Sequence, residues 1–130
     1  MTNQELVALA KEAMKNAYVP YSKFQVGAAL LAKDGTVFKG CNIENASYGA
    51  TNCAERTAIF KAVSEGVKEF EKIAIVASSG DYASPCGICR QVLFEFMPDG
   101  EVILDSDEKG MVTYTIRELL PMGFNSSDIK

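Results

Sequence analysis

Helical and extended periodicities alternate along the whole chain in the order α-ββ-α-β-α-ββ-α, and this alternation restricts the fold more than any other sequence feature. Thr2 and Glu5 form a T-x-x-E capping box, and Leu6, Leu9, Ala10, Ala13 and Ala17 recur at helical spacing, predicting a helix from about Asn3 to Ala17 that Pro20 ends. Two β-prone stretches, Phe24 to Ala32 and Thr36 to Cys41, flank Lys33-Asp34-Gly35, whose Asp-Gly pair signals a hairpin. The polar stretch NIENASYGAT leads to Asn52, a good N-cap for the helix CAERTAIFKAVSEG, which Gly66 terminates. Lys72 to Ser78 is a short apolar run of the kind found in buried central strands. A third helix is expected from about Pro85, a residue suited to the first helical position, to just before Pro98. Val102 to Asp105 and Val112 to Thr115 are separated by Ser106 to Gly110, too few residues for a crossover helix, so they should pair antiparallel. Thr115 and Glu118 repeat the capping box and open a short helix to Leu120, after which GFNSSDIK reads as a surface tail or contact segment. Five strands and their helices predict an α/β fold, a three-layer α/β/α sandwich on a mixed five-stranded sheet. With no repeat or linker, one domain is expected over residues 1–130.

Composition narrows the chemistry. A chain of 130 residues, 48% of them hydrophobic, can bury a core without disulfides or a structural metal, which leaves any metal free to be catalytic. The longest apolar runs, Val26 to Ala32 and Ile73 to Ala77, are far below the roughly 20 residues of a membrane span. The start MTNQELVALAKEAM has no basic-then-apolar secretory pattern, so the expectation is a cytoplasmic protein. A net charge of −4 and the absence of any Lys/Arg run argue against nucleic acid as a partner. There is no His, which removes Ser-His and Cys-His nucleophile pairs from consideration.

The remaining reactive groups concentrate at two expected helix starts. Cys86 and Cys89 form a C-x-x-C pair at one, and Cys53 lies at the other, 33 positions upstream of Cys86. The partial positive charge of a helix N-terminus favours thiolate, the form that binds metal. If both helices start at one edge of the sheet, three thiolates converge, giving a Zn²⁺ site with an open fourth position, the arrangement of catalytic zinc. Other readings stay open on spacing alone: a redox dithiol at C-x-x-C, or a four-cysteine structural site that adds Cys41 to Cys53. Cys41 on the second strand otherwise reads as core filler without a role. Glu55, two residues after Cys53, could turn a carboxylate toward a metal-bound water, although a lone Glu in a first turn is ordinarily a dipole partner.

The joint pattern Cys53-Ala54-Glu55 and, 30 residues on, Pro85-Cys86-x-x-Cys89 resembles the signature of the zinc-dependent nucleobase deaminases in its three-cysteine form. More narrowly, FQVGAAL from Phe24, GCNIENASY from Gly40, NCAERTA from Asn52 and SPCGICRQ from Ser84 resemble the small homotetrameric cytidine deaminases that act on free nucleosides. The resemblance covers most of the chain. It implies one zinc ion per chain on Cys53, Cys86 and Cys89, and hydrolytic deamination of cytidine and deoxycytidine in pyrimidine salvage. In that reaction Glu55 takes a proton from the zinc-acidified water, gives it to N3 of the pyrimidine, and later protonates the departing amine. Three thiolates on a divalent ion leave one negative charge, and Arg56 is expected to offset it by donating to Cys53 and Cys86, a surface Arg being the ordinary alternative.

The resemblance also implies that Asn42 and Glu44 bind the ribose 3′-hydroxyl, Phe24 lies beside the base, and the Ala54 N–H meets the pyrimidine O2. Ala46, Tyr48 and Phe124 match positions at which neighbouring subunits complete the pocket, and two exposed aromatics in polar segments hint at an interface. Related readings are a blasticidin-type deaminase of another aminopyrimidine nucleoside, or a noncatalytic zinc-stabilised interaction module. Deamination of a polynucleotide fits less well, because Ser106 to Gly110 holds no helix between the last two strands and Cys53 stands where His is common in tRNA and deoxycytidylate deaminases.

Overall fold

The computed structural model describes residues 1–129; Lys130, the last residue of the expected tail, lies outside them. Helix α1 (Asn3–Met14) begins at the complete Thr2/Glu5 capping box. It stops three residues short of the expected Ala17 because Tyr18 leaves the helical path to pair with the loop after the second strand: its N–H donates to Asn42 O at 3.0 Å and its carbonyl accepts from Glu44 N at 2.8 Å. Tertiary pairing here outcompetes helical propensity.

The sheet comprises β1 (Val26–Ala32), β2 (Val37–Cys41), β3 (Phe70–Ala77), β4 (Glu101–Ser106) and β5 (Gly110–Thr115), in the spatial order β2-β1-β3-β4-β5. Only β3 and β4 are parallel, so the sheet is mixed as expected. The β1–β2 turn places Gly35 at φ 93°, in the left-handed region that the Asp-Gly signal anticipates. Strand β1 starts at Val26 rather than Phe24, because Lys23 takes φ 61° and turns the two preceding residues out of the ladder.

Helix α1 covers one face of the sheet, where Leu6, Val7 and Ala10 pack on Ala29, Leu31, Ala74, Val76 and Ile103. Helices α2 (Ala54–Ser64) and α3 (Gly87–Phe96), with the short α4 (Ile116–Leu119), cover the other, over Leu30, Ile73, Ile75, Val102 and Leu104. The alternate residues of β1 and β3 thus serve opposite cores, and the three-layer sandwich follows from that period of two.

Two glycines let helices lie directly against strands. A Cβ at Gly40 on β2 would strike the Ala54 carbonyl and stand 2.6 Å from the Ala58 N of α2, while one at Gly27 on β1 would strike the Ala10 carbonyl and stand 2.6 Å from the Met14 N of α1. Backbone cannot yield as a side chain tip can. Gly27→Ala and Gly40→Ala are each expected to cost about 1–3 kcal/mol in thermal or denaturant unfolding. Only Gly40→Ala should also lower the metal content of the purified protein, because α2 carries Cys53 and Glu55 whereas α1 lies on the opposite face.

Candidate active site

Strands β2 and β3 each run antiparallel to β1, so they point the same way and deliver the chain to one edge of the sheet. Each is followed on the same face by a helix, and the N-termini of α2 and α3 therefore meet at that edge, where open α/β sheets place their ligand sites. Cys53 and Cys86 occupy the two N-cap positions, neither making a side-chain capping bond, and Cys89 is buried at the third position of α3. Both starts differ slightly from expectation. Asn52 is drawn into a two-way backbone bridge with Ile43 at 2.9 Å and cedes the cap to Cys53, while Pro85 precedes the cap instead of opening the helix.

The three Sγ atoms lie within 4.8 Å of one another, with Cys53 and Cys86 3.9 Å apart. A tetrahedral zinc with bonds of about 2.3 Å to sulfur needs edges of about 3.8 Å, so the cluster fits the ion. Cys41 stays outside the cluster on β2, half-buried, with its thiol pushed up by burial; the four-cysteine site is not formed.

Electrostatics at the cluster are ordered. The Cys89 thiol donating toward Cys53, with further help from Arg56 and Cys86, brings the Cys53 pKa down to about 5, and the same bond holds the Cys89 proton in place. Cys53 therefore becomes thiolate before Cys89. Arg56 Nη2 donates to Cys53 Sγ at 3.2 Å and its protonated form is reinforced by Cys53 and then Cys89. The expected guanidinium contact is present at Cys53; the structure gives no hydrogen bond from Arg56 to Cys86. Among the described residues Arg56 pairs with no carboxylate, which sets aside the ordinary surface-salt-bridge reading.

Glu55 is 5% exposed, and burial, followed by the charge of Cys53, raises its carboxyl to about 7. A group poised there both accepts and releases protons near neutrality. It lines a cleft of about 240 Å³ with Phe24, Asn42, Ala54, Cys53 and Cys86, open at the same sheet edge. Phe24 is 42% exposed and forms part of the wall, outside the core. Ala54 is fully buried at the first position of α2, where a helix leaves its N–H without an internal acceptor.

Asn42 and Glu44 serve the backbone as well as the cleft. Asn42 Oδ1 accepts from Val26 N at 2.9 Å and its Nδ2 donates to Phe24 O at 2.8 Å, which holds the first residues of β1 in line. Glu44 accepts from Tyr21 N at 3.0 Å, Ser22 N at 3.1 Å and the Ser22 hydroxyl, and these bonds hold its carboxyl below the usual range, the Ser22 hydroxyl foremost. Glu44 lines not the cleft itself but an adjoining depression with Tyr21, Ser22 and Tyr48, joined to the cleft through Thr51. Ala46, Tyr48 and Phe124 are exposed and do not line the cleft; Tyr48 meets Tyr21 edge-on at 5.7 Å in the adjoining depression. Sequence reasoning missed Thr51, Asn52 and Ser84 in the cleft wall, and Ser22 behind Glu44. Only Ser84 carried a signal, its place directly before Pro85-Cys86.

A family profile described as the cytidine and deoxycytidylate deaminase zinc-binding region matches residues 1–105. A cytidine deaminase of Sporosarcina psychrophila is 52% identical over 130 residues, covering 99% of this chain and 96% of that protein. The crystal structure of a cytidine deaminase from Burkholderia pseudomallei superposes with a TM-score of 0.91 at 48% identity, covering 95% of this chain and 100% of that one. A blasticidin-S deaminase of Bacillus cereus is more distant, 36% identical over 92% of this chain and 90% of its own. Since the profile spans both helix starts that carry the thiols, and similarity extends over nearly the whole chain in sequence and in fold, the chain belongs to the zinc-binding cytidine and deoxycytidylate deaminase family.

Proposed function

We propose that the protein, as one domain over residues 1–130, hydrolyses free cytidine and deoxycytidine to uridine and deoxyuridine with release of ammonia, in cytoplasmic pyrimidine salvage. The observation that carries this reading is the buried Glu55 carboxyl beside three converging thiols on a narrow cleft. Cys53, Cys86 and Cys89 would hold a zinc ion, which when bound would supply an acidified water as the nucleophile at neutral pH. Glu55 takes that water's proton and delivers it to N3 as C4 is attacked. It then carries a second proton to the amino group, which leaves as ammonia while C4 becomes a carbonyl. One carboxyl serves both transfers because burial holds its pKa near 7, between the donors and acceptors it links.

Phe24 packs beside the base, and the Ala54 N–H at the start of α2 meets O2. Asn42 and Glu44 address the ribose 3′-hydroxyl, the amide as donor and the carboxylate as acceptor, both already held in place by their backbone bonds. A carboxylate kept ionised at Glu44 repels a phosphate, so nucleosides are preferred over nucleotides. Exposed Tyr48 and Phe124, with Ala46, are supplied to neighbouring copies in a homotetramer. Among the described residues no helix is long and apolar enough to cross a membrane, in keeping with a small-molecule substrate.

Purified protein with about one zinc per chain should convert cytidine to uridine, followed by loss of cytidine absorbance. Glu55→Gln should lower turnover by about 10²–10⁴-fold while zinc content and folding are kept. Zinc without turnover on cytidine, but with turnover on blasticidin S, would move the reading to the blasticidin-type enzyme; an Arg- or Glu-insensitive zinc protein inert on both would be the noncatalytic module. Arg56→Gln should reduce turnover or zinc retention by about 10–100-fold, read by kcat and metal analysis together. Dilution to monomer should abolish activity, measured by turnover alongside sedimentation; an active, folded monomer would refute the shared pocket.

A further inference from the structure

The guanidinium of Arg90 ties together two segments through bonds that the proposed chemistry leaves unexplained. Its Nε donates to Pro85 O at 2.8 Å, Nη2 to Ser84 Oγ at 2.7 Å, and Nη1 to Leu119 O at 2.8 Å. All three acceptors are neutral, and among the described residues no carboxylate pairs with Arg90. Ser84 and Cys86 line the cleft, and Pro85, fully buried, lies between them.

Arg90 stands one turn into α3, its amide closing the first helical bond to Cys86 O at 2.9 Å, and its side chain leans back over the start of its own helix. That is the end of a helix where a cation is disfavoured, so helix stability does not account for its presence. The planar fork accounts for it: three donors in fixed directions meet acceptors on two segments that regular structure does not join. Leu119 O belongs to the last turn of α4, where a carbonyl has no partner within the helix. The neighbouring Gln91 ties the C-terminal segment to α3 as well, through Nε2 to Phe124 O at 2.8 Å.

Cys86 needs such support. Its side chain is exposed, makes no capping bond, and follows a loop from Ser78 with no regular structure, whereas Cys89 is buried in α3. We propose that Arg90 is a positioning residue that fixes the Ser84–Cys86 arm of the site against α4, and thereby sets the direction from which the Cys86 thiolate reaches the metal. The inference rests on the deaminase reading only for its activity readout. The role in metal retention is independent of substrate.

The test is the rate at which zinc passes from the loaded protein to a chromogenic chelator, measured with kcat/KM for cytidine and thermal melting on the same preparations. Arg90→Gln should release zinc about 10–100-fold faster and lose kcat/KM in a similar proportion. Arg90→Lys keeps the charge without the fork and should behave like Arg90→Gln. Ser84→Ala, which removes one of the three bonds, should speed release by about 3–10-fold and decides the matter if the Arg90 variants do not fold. Release within about twofold of the parent in the folded variants, with only a lowered melting temperature, would show a purely structural role and overturn the proposal. Parental behaviour of Arg90→Lys would overturn it too, by showing that charge suffices. A parent protein inert on cytidine would refute the deaminase reading and leave the zinc-release comparison standing.

Discussion

Everything at the site depends on β2 and β3 pointing the same way across β1. Two helix N-termini, each carrying partial positive charge, are thereby brought to one sheet edge, an arrangement that is repulsive by itself. A thiolate at the α2 cap, Cys53, relieves it. The same fields that destabilise two bare helix ends make sulfur ionise, and Cys53, accepting from Cys89 and Arg56, is brought down to about 5. Metal binding and helix placement are one electrostatic solution.

Charge is then balanced around the cluster by residues whose positions the helices set. Arg56 follows Cys53 by three residues on α2, near enough for its guanidinium to return to the sulfur at 3.2 Å, which places a positive charge beside the thiolate. Glu55, between them in sequence, turns inward and is nearly completely desolvated, so its proton affinity rises while that of Cys53 falls. Two residues at the start of one helix are thus driven in opposite directions, Glu55 upward by burial and Cys53 downward by the hydrogen bonds it accepts from Cys89 and Arg56.

The cleft walls are loops, held by side chains instead of by ladders. Asn42 binds both sides of the entry to β1, Glu44 gathers the Tyr21–Ser22 turn, and Arg90 gathers the arm before Cys86. Each uses a forked polar group to satisfy several backbone atoms at once, so the loops gain rigidity from bonds that loops otherwise make to water. Asn42 shows that a residue can orient the backbone and still line the cleft.

Local physics was legible in the residues themselves. Capping boxes at Thr2 and Thr115, the Asp34-Gly35 turn, the alternating strands and the two cysteine-bearing helix starts all express interactions within a few residues, and the zinc and proton-transfer roles were visible because family motifs join Cys53, Glu55, Cys86 and Cys89. The sequence alone thus determined the elements, their layering and the chemical cast. Only the tertiary structure decided where those elements end and what their polar side chains bind. Tyr18 abandons α1 for a partner that approaches from residue 42, Asn52 yields its cap to a bridge with Ile43, and Arg56 turns back to Cys53. Arg90 had no local signature, because its acceptors lie 5, 6 and 29 residues away and converge only after the sheet has closed. Bonds between segments distant in sequence are invisible to periodicity and spacing, which record only what neighbouring residues do to one another.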